Sequence, residues 1–335
     1  MFEPIRFKLI DAFARTPYSG NVAAVVLDAD GLTDRQMRLV AAEFNASETT
    51  FVLRPDTRDA AVRFRWFTPG CEVDFCGHAT LAAVHALLEE GRFTHTLDRP
   101  GTILPIETRS GILTVRTERR EAEPPPPEGG IEGDASPAAS NPPITLWLDM
   151  PRCQPKNTHV ILPSLLKHLG LDEELMDPAI PPIRTHDDDV ILAVHSLSAL
   201  LELQPEMSSL ARSCRKERIR GVLVTTTNVL TSATVVQSRF FAPAVGIDED
   251  PVTGSVHGPL GLHLVNSGVI PMVNGLSDFH CAQARAGGRA GLVRIVVTQD
   301  DKDGKHVRIG GVCITTAGGV LQRLPVDSEP FPVES

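Results

Sequence analysis

Residues 66–91 read WFTPGCEVDFCGHATLAAVHALLEEG, a short polar segment followed directly by a long apolar one. The polar segment contains Cys76, Gly77 and His78, and the residues after it are apolar on every side of a helix. A helix without a polar face is normally buried in a protein core. The stretch therefore predicts a buried central helix whose N-terminal end is polar.

Segments rich in Val, Ile and Thr, which are typical of β-strands, lie around this helix in the sequence. They are NVAAVVL at 21–27, TTFVL at 49–53, AVRFRWF at 61–67 and GILTVRT at 111–117. We therefore expect a sheet that wraps around the central helix.

The same order of landmarks occurs again in the second part of the chain. The matching pairs are Met37 to Val52 with Met207 to Val222, RWFTP at 65–69 with RFFAP at 239–243, and Gly77 to Gly91 with Gly254 to Gly268. The first and third pairs have equal spacing, which favours an internal duplication. The alternative is that strand–loop–helix units recur by chance, as they do in many α/β proteins.

The second copy of the apolar helix reads SVHGPLGLHLVNSG at 255–268. Proline is tolerated in the first turn of a helix but destabilises its interior. Pro259 therefore predicts that this helix begins at or after Ser255.

Residues 119–144 differ in composition from the rest of the chain. They are rich in Pro, Gly, Ser and acidic residues and include four consecutive prolines. Such a composition predicts a flexible insertion or linker. We place an N-terminal lobe at 1–118, completed by the C-terminal segment 321–335, and a C-terminal lobe at 145–320.

The composition also limits the classes of function. The chain has 335 residues and a net charge of −10, which argues against a general nucleic-acid surface or binding to an anionic membrane. No secretory signal or membrane-spanning run is visible. The six cysteines form no CxxC pair, which argues against a zinc site and a disulfide framework. We expect a reduced, cytoplasmic protein with no metal and, without a P-loop or GxGxxG motif, no organic cofactor.

Two polar helix N-termini, CGHAT at 76–80 and TGSVHG at 253–258, carry the chemistry that we infer. A helix N-terminus presents unpaired N–H groups and a partial positive charge. Glycines such as Gly77 and Gly254 let a ligand approach the backbone closely. If the two ends met across a cleft, they would hold a small carboxylate or a developing enolate without a metal.

Such a site also needs a group that carries a proton. Glu48 lies between a helix pattern and a strand, beside Phe51 and Val52, and partial burial would raise its pKa toward the range of a general acid/base. A surface or capping glutamate is the alternative. Asp250 and Ser255 are further candidates, and both could instead cap the second helix. As a nucleophile, Ser255 would need a neighbouring base.

Cys76 and His78 complete the set of chemical candidates. A single histidine is often structural, whereas a cysteine at a helix N-terminus could be an activated thiolate. A racemase that uses two thiols needs a second cysteine, but Thr253 occupies the matching position.

Several segments of the chain resemble the PhzF-like phenazine-biosynthesis family, which has a diaminopimelate epimerase-like fold. They are DAFARTPYSGNVAAVV, QMRLVAAEFNASETTFV, RWFTPGCEVDFCGHAT, RFFAPAVGIDEDPVTGSVHGPLG and VRIGG, and they occur in family order. The resemblance implies an α/β (α+β) fold of two pseudo-repeated lobes. Each lobe would be a curled, mostly antiparallel sheet or barrel around a central helix, with the active site between the lobes.

The resemblance also implies a cofactor-independent isomerase that moves a proton between carbons of a small carboxylic acid. The family's acid/base glutamate, cleft histidine, aspartate and serine fall on Glu48, His78, Asp250 and Ser255. We assign substrate contacts to Cys76, Gly77, Thr253 and Gly254. We further expect a small anionic substrate, a role in biosynthesis or secondary metabolism, and a homodimer.

Two readings of the function stay open beside the isomerase. One is a lyase or cyclase that acts on a natural-product intermediate, and the other is a non-catalytic protein that binds a small acid. The sequence departs from the family pattern at Asp74 and at Val22, where proline is common, so the resemblance does not fix the substrate.

Overall fold

The computed structural model describes residues 4–93, 103–119, 144–151, 153–156, 163–229, 234–284, 288–300 and 304–325. The strands are β1 Ile5–Ala12, β2 Asn21–Val26, β3 Glu48–Leu53, β4 Val62–Phe67, β5 Glu72–Val73, β6 Ile103–Thr108, β7 Gly111–Arg119, β8 Ile144–Asp149, β9 Ile183–Arg184, β10 Val190–Ala193, β11 Val222–Thr226, β12 Val236–Ala242, β13 Ile247–Asp250, β14 Leu276–Ala284, β15 Ala290–Asp300, β16 Gly304–Gly311 and β17 Cys313–Leu321. The α-helices are α1 Asp34–Phe44, α2 Gly77–Glu89, α3 Pro163–Leu169, α4 Leu197–Leu201, α5 Met207–Glu217 and α6 Gly254–Asn266.

The same series of strand pairings occurs twice. In the N-terminal lobe, β2 pairs in parallel with β3, β3 pairs antiparallel with β4, and β4 pairs antiparallel with β5 and in parallel with β6, which is antiparallel to β7. In the C-terminal lobe, β10 to β15 repeat this series with the same orientations. The structure therefore confirms two pseudo-repeated lobes. The four strands predicted from composition are confirmed as β2, β3, β4 and β7.

The two lobes join through β8, which pairs antiparallel with β7 on one side and with β16 on the other. The strand that closes the N-terminal lobe on β1 is Cys313–Leu321, and Ile5 pairs with Leu321 at its end. Most of this strand precedes the segment 321–335 that we placed there from sequence. Residues 326–335 lie outside the described residues.

The central helix of each lobe is buried, as the apolar pattern predicts. Leu81, Val84 and Leu87 of α2 are fully or almost fully buried, and α2 packs against β1, β2, β3, β8 and β17. In the other lobe, α6 packs against β15 and β16. Within the part of the chain that the structure describes, no helix is both long and apolar enough to cross a membrane.

Helix α6 begins at Gly254, one residue before the limit that Pro259 predicts, so the proline lies inside the helix. Pro259 has no N–H to donate to the carbonyl of Ser255. The helix that contains this proline packs closely on β15. A Cβ added at Gly261 would lie 2.5 Å from Cγ2 of Ile295. The prediction failed because a rule about local hydrogen bonding takes no account of tertiary packing.

A bidentate arginine–glutamate pair stands at the same place in both lobes. Arg65 in β4 donates from Nε and Nη2 to Glu72 in β5, at 2.7 and 2.8 Å. Arg239 in β12 donates in the same way to Glu249 in β13, at 2.8 and 3.1 Å. Charge-assisted bidentate bonds are strong and geometrically specific. Each pair therefore anchors the hairpin that leads into the N-terminus of α2 or α6.

Candidate active site

The N-termini of α2 and α6 meet where the two lobes join. A Cβ added at Gly77 would lie 3.6 Å from the backbone nitrogen of Ser255 and 3.7 Å from the carbonyl carbon of Gly254. Neither helix has a side-chain oxygen cap from its N-cap residue, in contrast to α1, which Thr33 caps. Two helix N-termini that meet in this way concentrate positive potential at one place. We call this place the junction.

Glu48 begins β3 and points toward the junction. Its side chain is 14% exposed, and its Oε2 lies 3.2 Å from Nε2 of His78. The contact does not satisfy hydrogen-bond geometry, so both atoms are buried without a hydrogen-bond partner among the described residues. Burial, and then repulsion from Asp250, raises the pKa of Glu48 to about 8, against smaller opposite effects of Arg220 and Cys76. The carboxyl group is therefore mostly protonated at neutral pH.

His78 and Cys76 are both neutral beside this carboxyl group. Burial lowers the pKa of His78 to about 4, although a hydrogen bond with the backbone of Val22 acts in the opposite direction. Its Nδ1 lies 3.5 Å from Sγ of Cys76. Burial, and then the nearby Glu48, raises the pKa of the Cys76 thiol. This shift is opposite to the one that an activated thiolate requires.

Asp250, at the end of β13, supplies the second carboxyl group. Its Oδ1 accepts a hydrogen bond of 2.9 Å from Nδ2 of Asn21, and its Oδ2 accepts one from the hydroxyl of Thr253. Burial raises the pKa of Asp250 to about 6, while these two bonds and Arg220 act in the opposite direction. At neutral pH Asp250 is therefore mostly ionised while Glu48 is mostly protonated. Carboxyl groups with separated pKa values are typical of acid/base sites.

Ser255 stands in the first turn of α6, and its hydroxyl oxygen accepts a hydrogen bond of 3.0 Å from Nη2 of Arg220. At the N-cap of the same helix, the side-chain oxygen of Gln283 accepts from the backbone N–H of Thr253 at 2.9 Å. The structure thus gathers the residues that we singled out from the sequence around the junction. They are Glu48, Cys76, Gly77, His78, Asp250, Thr253, Gly254 and Ser255.

Sequence reasoning missed three polar residues of this site: Asn21, Arg220 and Gln283. Asn21 lies inside a segment that carries the family resemblance, so the motif offered a signal for it. Arg220 follows a run of charged residues that looks like a solvated helix end, and Gln283 gives no signal in the sequence. Asp74 is 69% exposed and pairs with Arg109 at 3.4 Å, so its charge lies on the surface.

Glu48, Cys76 and His78 offer donor atoms that all lie within 4.8 Å of one another. Oxygen, sulfur and nitrogen donors of this kind are the ligands that zinc prefers. However, the raised pKa values of Glu48 and Cys76 mean that both groups hold protons that a metal would have to displace.

Two solved structures define the class of protein to which this architecture belongs. A PhzF family protein from Bacillus anthracis has a TM-score of 0.78 at 25% identity, over 96% of this chain and 99% of that chain. A hydroxyproline epimerase from Agrobacterium vitis, solved with bound trans-4-OH-L-proline, has a TM-score of 0.58 at 11% identity, over 96% and 91% of the two chains. The fold is therefore that of the two-lobed, diaminopimelate epimerase-like proteins.

The sequence profile of the phenazine biosynthesis-like proteins, PhzC-PhzF, matches residues 10–319, and the chain belongs to this family. A protein of Clostridium acetobutylicum named as an uncharacterized isomerase is 32% identical over 90% of this chain and 93% of its own length. The uncharacterized isomerase YddE of Escherichia coli is 31% identical over 91% and 94%. With relatives of this kind over almost its whole length, the chain is an isomerase of the PhzF family.

Proposed function

We propose that this isomerase moves a proton between two carbons of a small carboxylic acid, with Glu48 as the general acid/base and without a metal or organic cofactor. One observation carries the proposal. A buried carboxyl group with a pKa of about 8 stands at the junction, where helix N-termini can hold a carboxylate or an enolate. A group that both accepts and donates protons near neutral pH works best with a pKa in this range.

The helix N-termini and His78 would assist Glu48 in the proton transfer. In its ionised form Glu48 would accept a proton from the carbon next to the substrate's carboxyl or carbonyl group. The N–H groups at the start of α2 and α6 would stabilise the enolate-like charge that develops. Glu48 would then return the proton to a different carbon. His78 is neutral and its Nε2 lies 3.2 Å from the Glu48 carboxyl group, so a small rotation of either side chain would let the two form a hydrogen bond.

Asp250 would act through its charge. It is the nearby anion that raises the pKa of Glu48, and its hydrogen bonds to Asn21 and Thr253 keep its own pKa below that of Glu48. One ionised and one protonated carboxyl group in the same site allow a proton to be held ready without a second basic residue.

The proposal is tested by screening small unsaturated, hydroxy and amino carboxylic acids with the purified full-length chain in D2O. Proton NMR reports exchange at carbon and any change in double-bond position or configuration. We expect a substrate whose product is its isomer, with solvent deuterium at a carbon wherever the proton held by Glu48 exchanges with water before it is returned. A product that has lost water or formed a ring would favour a lyase or cyclase instead.

A further inference from the structure

Arg220 is a positively charged residue that the fold fixes at the edge of the junction, and the acid/base scheme above gives it no role. It precedes β11, and its side chain is 33% exposed. Its Nε donates to Oδ1 of Asp189 at 2.8 Å, and its Nη2 donates to Oδ2 of the same carboxylate. Asp189 is 1% exposed. A guanidinium that bonds in this bidentate manner to a buried carboxylate has little freedom to turn.

The residue after the arginine also contributes to its position. A Cβ added at Gly221 would lie 2.3 Å from the ring of Phe240, so only glycine leaves room for this ring. The guanidinium carbon of Arg220 lies 6.0 Å from the centre of the same ring. Arg220 is therefore bound to a carboxylate and lies beside an aromatic ring, and its Nη2 donates to Ser255 Oγ at 3.0 Å.

The bond to Ser255 fixes the role of the serine hydroxyl. A guanidinium donates hydrogen bonds and cannot accept them. The Ser255 oxygen is therefore the acceptor, and its own O–H remains free to donate elsewhere. The backbone nitrogen of Ser255 lies at the junction, close to Gly77. The hydroxyl is thus arranged as a donor for an anion bound there, which is the opposite of an activated nucleophile.

Arg220 also acts on the charges of the site. Its positive charge lowers the pKa of both Glu48 and Asp250. The other groups that face Glu48 are Asp250, which raises its pKa, Cys76, which lowers it, and neutral His78. Asp189, and to a smaller degree Asp187, in turn balance the charge of Arg220.

We propose that Arg220, locked by Asp189, is the positioning residue of this site. It fixes Ser255 as a hydrogen-bond donor toward the junction and supplies the positive charge that offsets the two carboxyl groups. The role rests on the proposed acid/base function of Glu48. The test below needs no turnover, so this arrangement of charges can fail while the proposed function stands.

The experiment is a carbon-13 NMR titration of the side-chain carboxyl groups in the full-length chain, with Glu48 and Asp250 assigned by Glu48→Gln and Asp250→Asn. In Arg220→Gln both groups should titrate at higher pH than in the wild type. In Asp189→Asn the arginine loses its main counter-charge and keeps the smaller one of Asp187, so both groups should titrate at lower pH. Arg220→Lys keeps the charge and should stay closer to the wild type than Arg220→Gln does.

Arg109→Gln is the matched control, because Arg109 is a surface cation that pairs with Glu72 and Asp74. It should leave both titrations unchanged. A merely structural role would loosen the site and shift the titrations of Arg220→Gln and Asp189→Asn in the same direction. That result, or no shift in either variant, would overturn the proposal. If Arg220→Gln does not fold, the shift in Asp189→Asn decides alone, and it must be downward.

Discussion

Asn21 in the N-terminal lobe donates a hydrogen bond of 2.9 Å to Asp250 in the C-terminal lobe. The same Nδ2 donates to the carbonyl oxygen of Val252 at 2.9 Å, and the amide oxygen accepts from the hydroxyl of Ser47 at 3.0 Å. One buried amide therefore connects both lobes at the ionised carboxylate of the site. The alignment of the lobes and the charge of Asp250 depend on the same contact.

Asn21→Ala should raise the pKa of Asp250 and destabilise the contact between the lobes. Asp250 loses one of its two side-chain donors, so its pKa should rise above about 6. The buried groups left without a partner should lower the free energy of unfolding by about 1–3 kcal/mol. Denaturant unfolding and the carboxyl titration measure the two effects. Ser47→Ala is the control, because it keeps both donors of Asn21 and should barely move the titration of Asp250.

Glu48→Gln should stabilise the protein increasingly as the pH rises. The pKa of Glu48 is raised from 4.5 to about 8 in the folded state, so its contribution to stability is fully present below pH 4.5 and is lost as the pH rises through 8. Glutamine cannot ionise and escapes this loss. The difference in free energy of unfolding between variant and wild type should therefore grow between these pH values, by on the order of 5 kcal/mol.

Glu43→Gln is the matched control for that measurement, because Glu43 is an exposed glutamate on α1. Its free energy of unfolding should follow that of the wild type at every pH. A pH-independent difference between Glu48→Gln and the wild type would mean that Glu48 ionises in the folded protein as easily as in the unfolded chain.

Gly261→Ala should destabilise the contact between α6 and β15. The added methyl group would lie 2.5 Å from Cγ2 of Ile295, too close for two carbons unless the helix or strand moves. Overpacking of this kind typically costs about 1–3 kcal/mol. Gly70→Ala, where the nearest atom would be 3.9 Å away, should change the melting temperature little. Equal melting temperatures for the two variants would contradict the packing described for α6.

The segment 119–144, predicted from composition to be an insertion, should be dispensable. Its first and last residues, Arg119 and Ile144, pair with each other across β7 and β8, so a short Gly/Ser turn can join the two strands. Residues 120–143 lie outside the described residues. Replacing them with such a turn should leave the isomerase activity within a few-fold of the wild type. Loss of activity in a variant that keeps its melting temperature would show that the segment is functional.

Much of the fold could be predicted because its signals are local and repeated. The apolar sequence of α2 predicts burial, and the equal spacing from Gly77 to Gly91 and from Gly254 to Gly268 reflects two helices that both end before a glycine with positive φ. Arg220 could not be predicted, because its partner Asp189 is brought to it only by the sheet. The role of a charged residue depends on which groups the fold buries beside it, and the sequence alone does not show those groups.

The pKa values that define the site were also beyond the sequence. The surroundings of Glu48 suggest partial burial, but Asp250 lies in the other lobe, and its repulsion adds to the burial only once the lobes meet. The sequence indicated which residue types were present. The difference between the pKa values of Glu48 and Asp250 follows from how the fold buries the two groups and from their contact across the lobes.

The most direct test of the account is the turnover of Glu48→Gln on the substrate found in the D2O screen, beside the wild type and Glu43→Gln. The substitution keeps the shape of the side chain but removes its basic oxygen. The account predicts a folded variant that still binds the substrate, with turnover and deuterium incorporation reduced about 100-fold or more, while Glu43→Gln matches the wild type. Turnover of Glu48→Gln near the wild-type rate would contradict the acid/base role of Glu48.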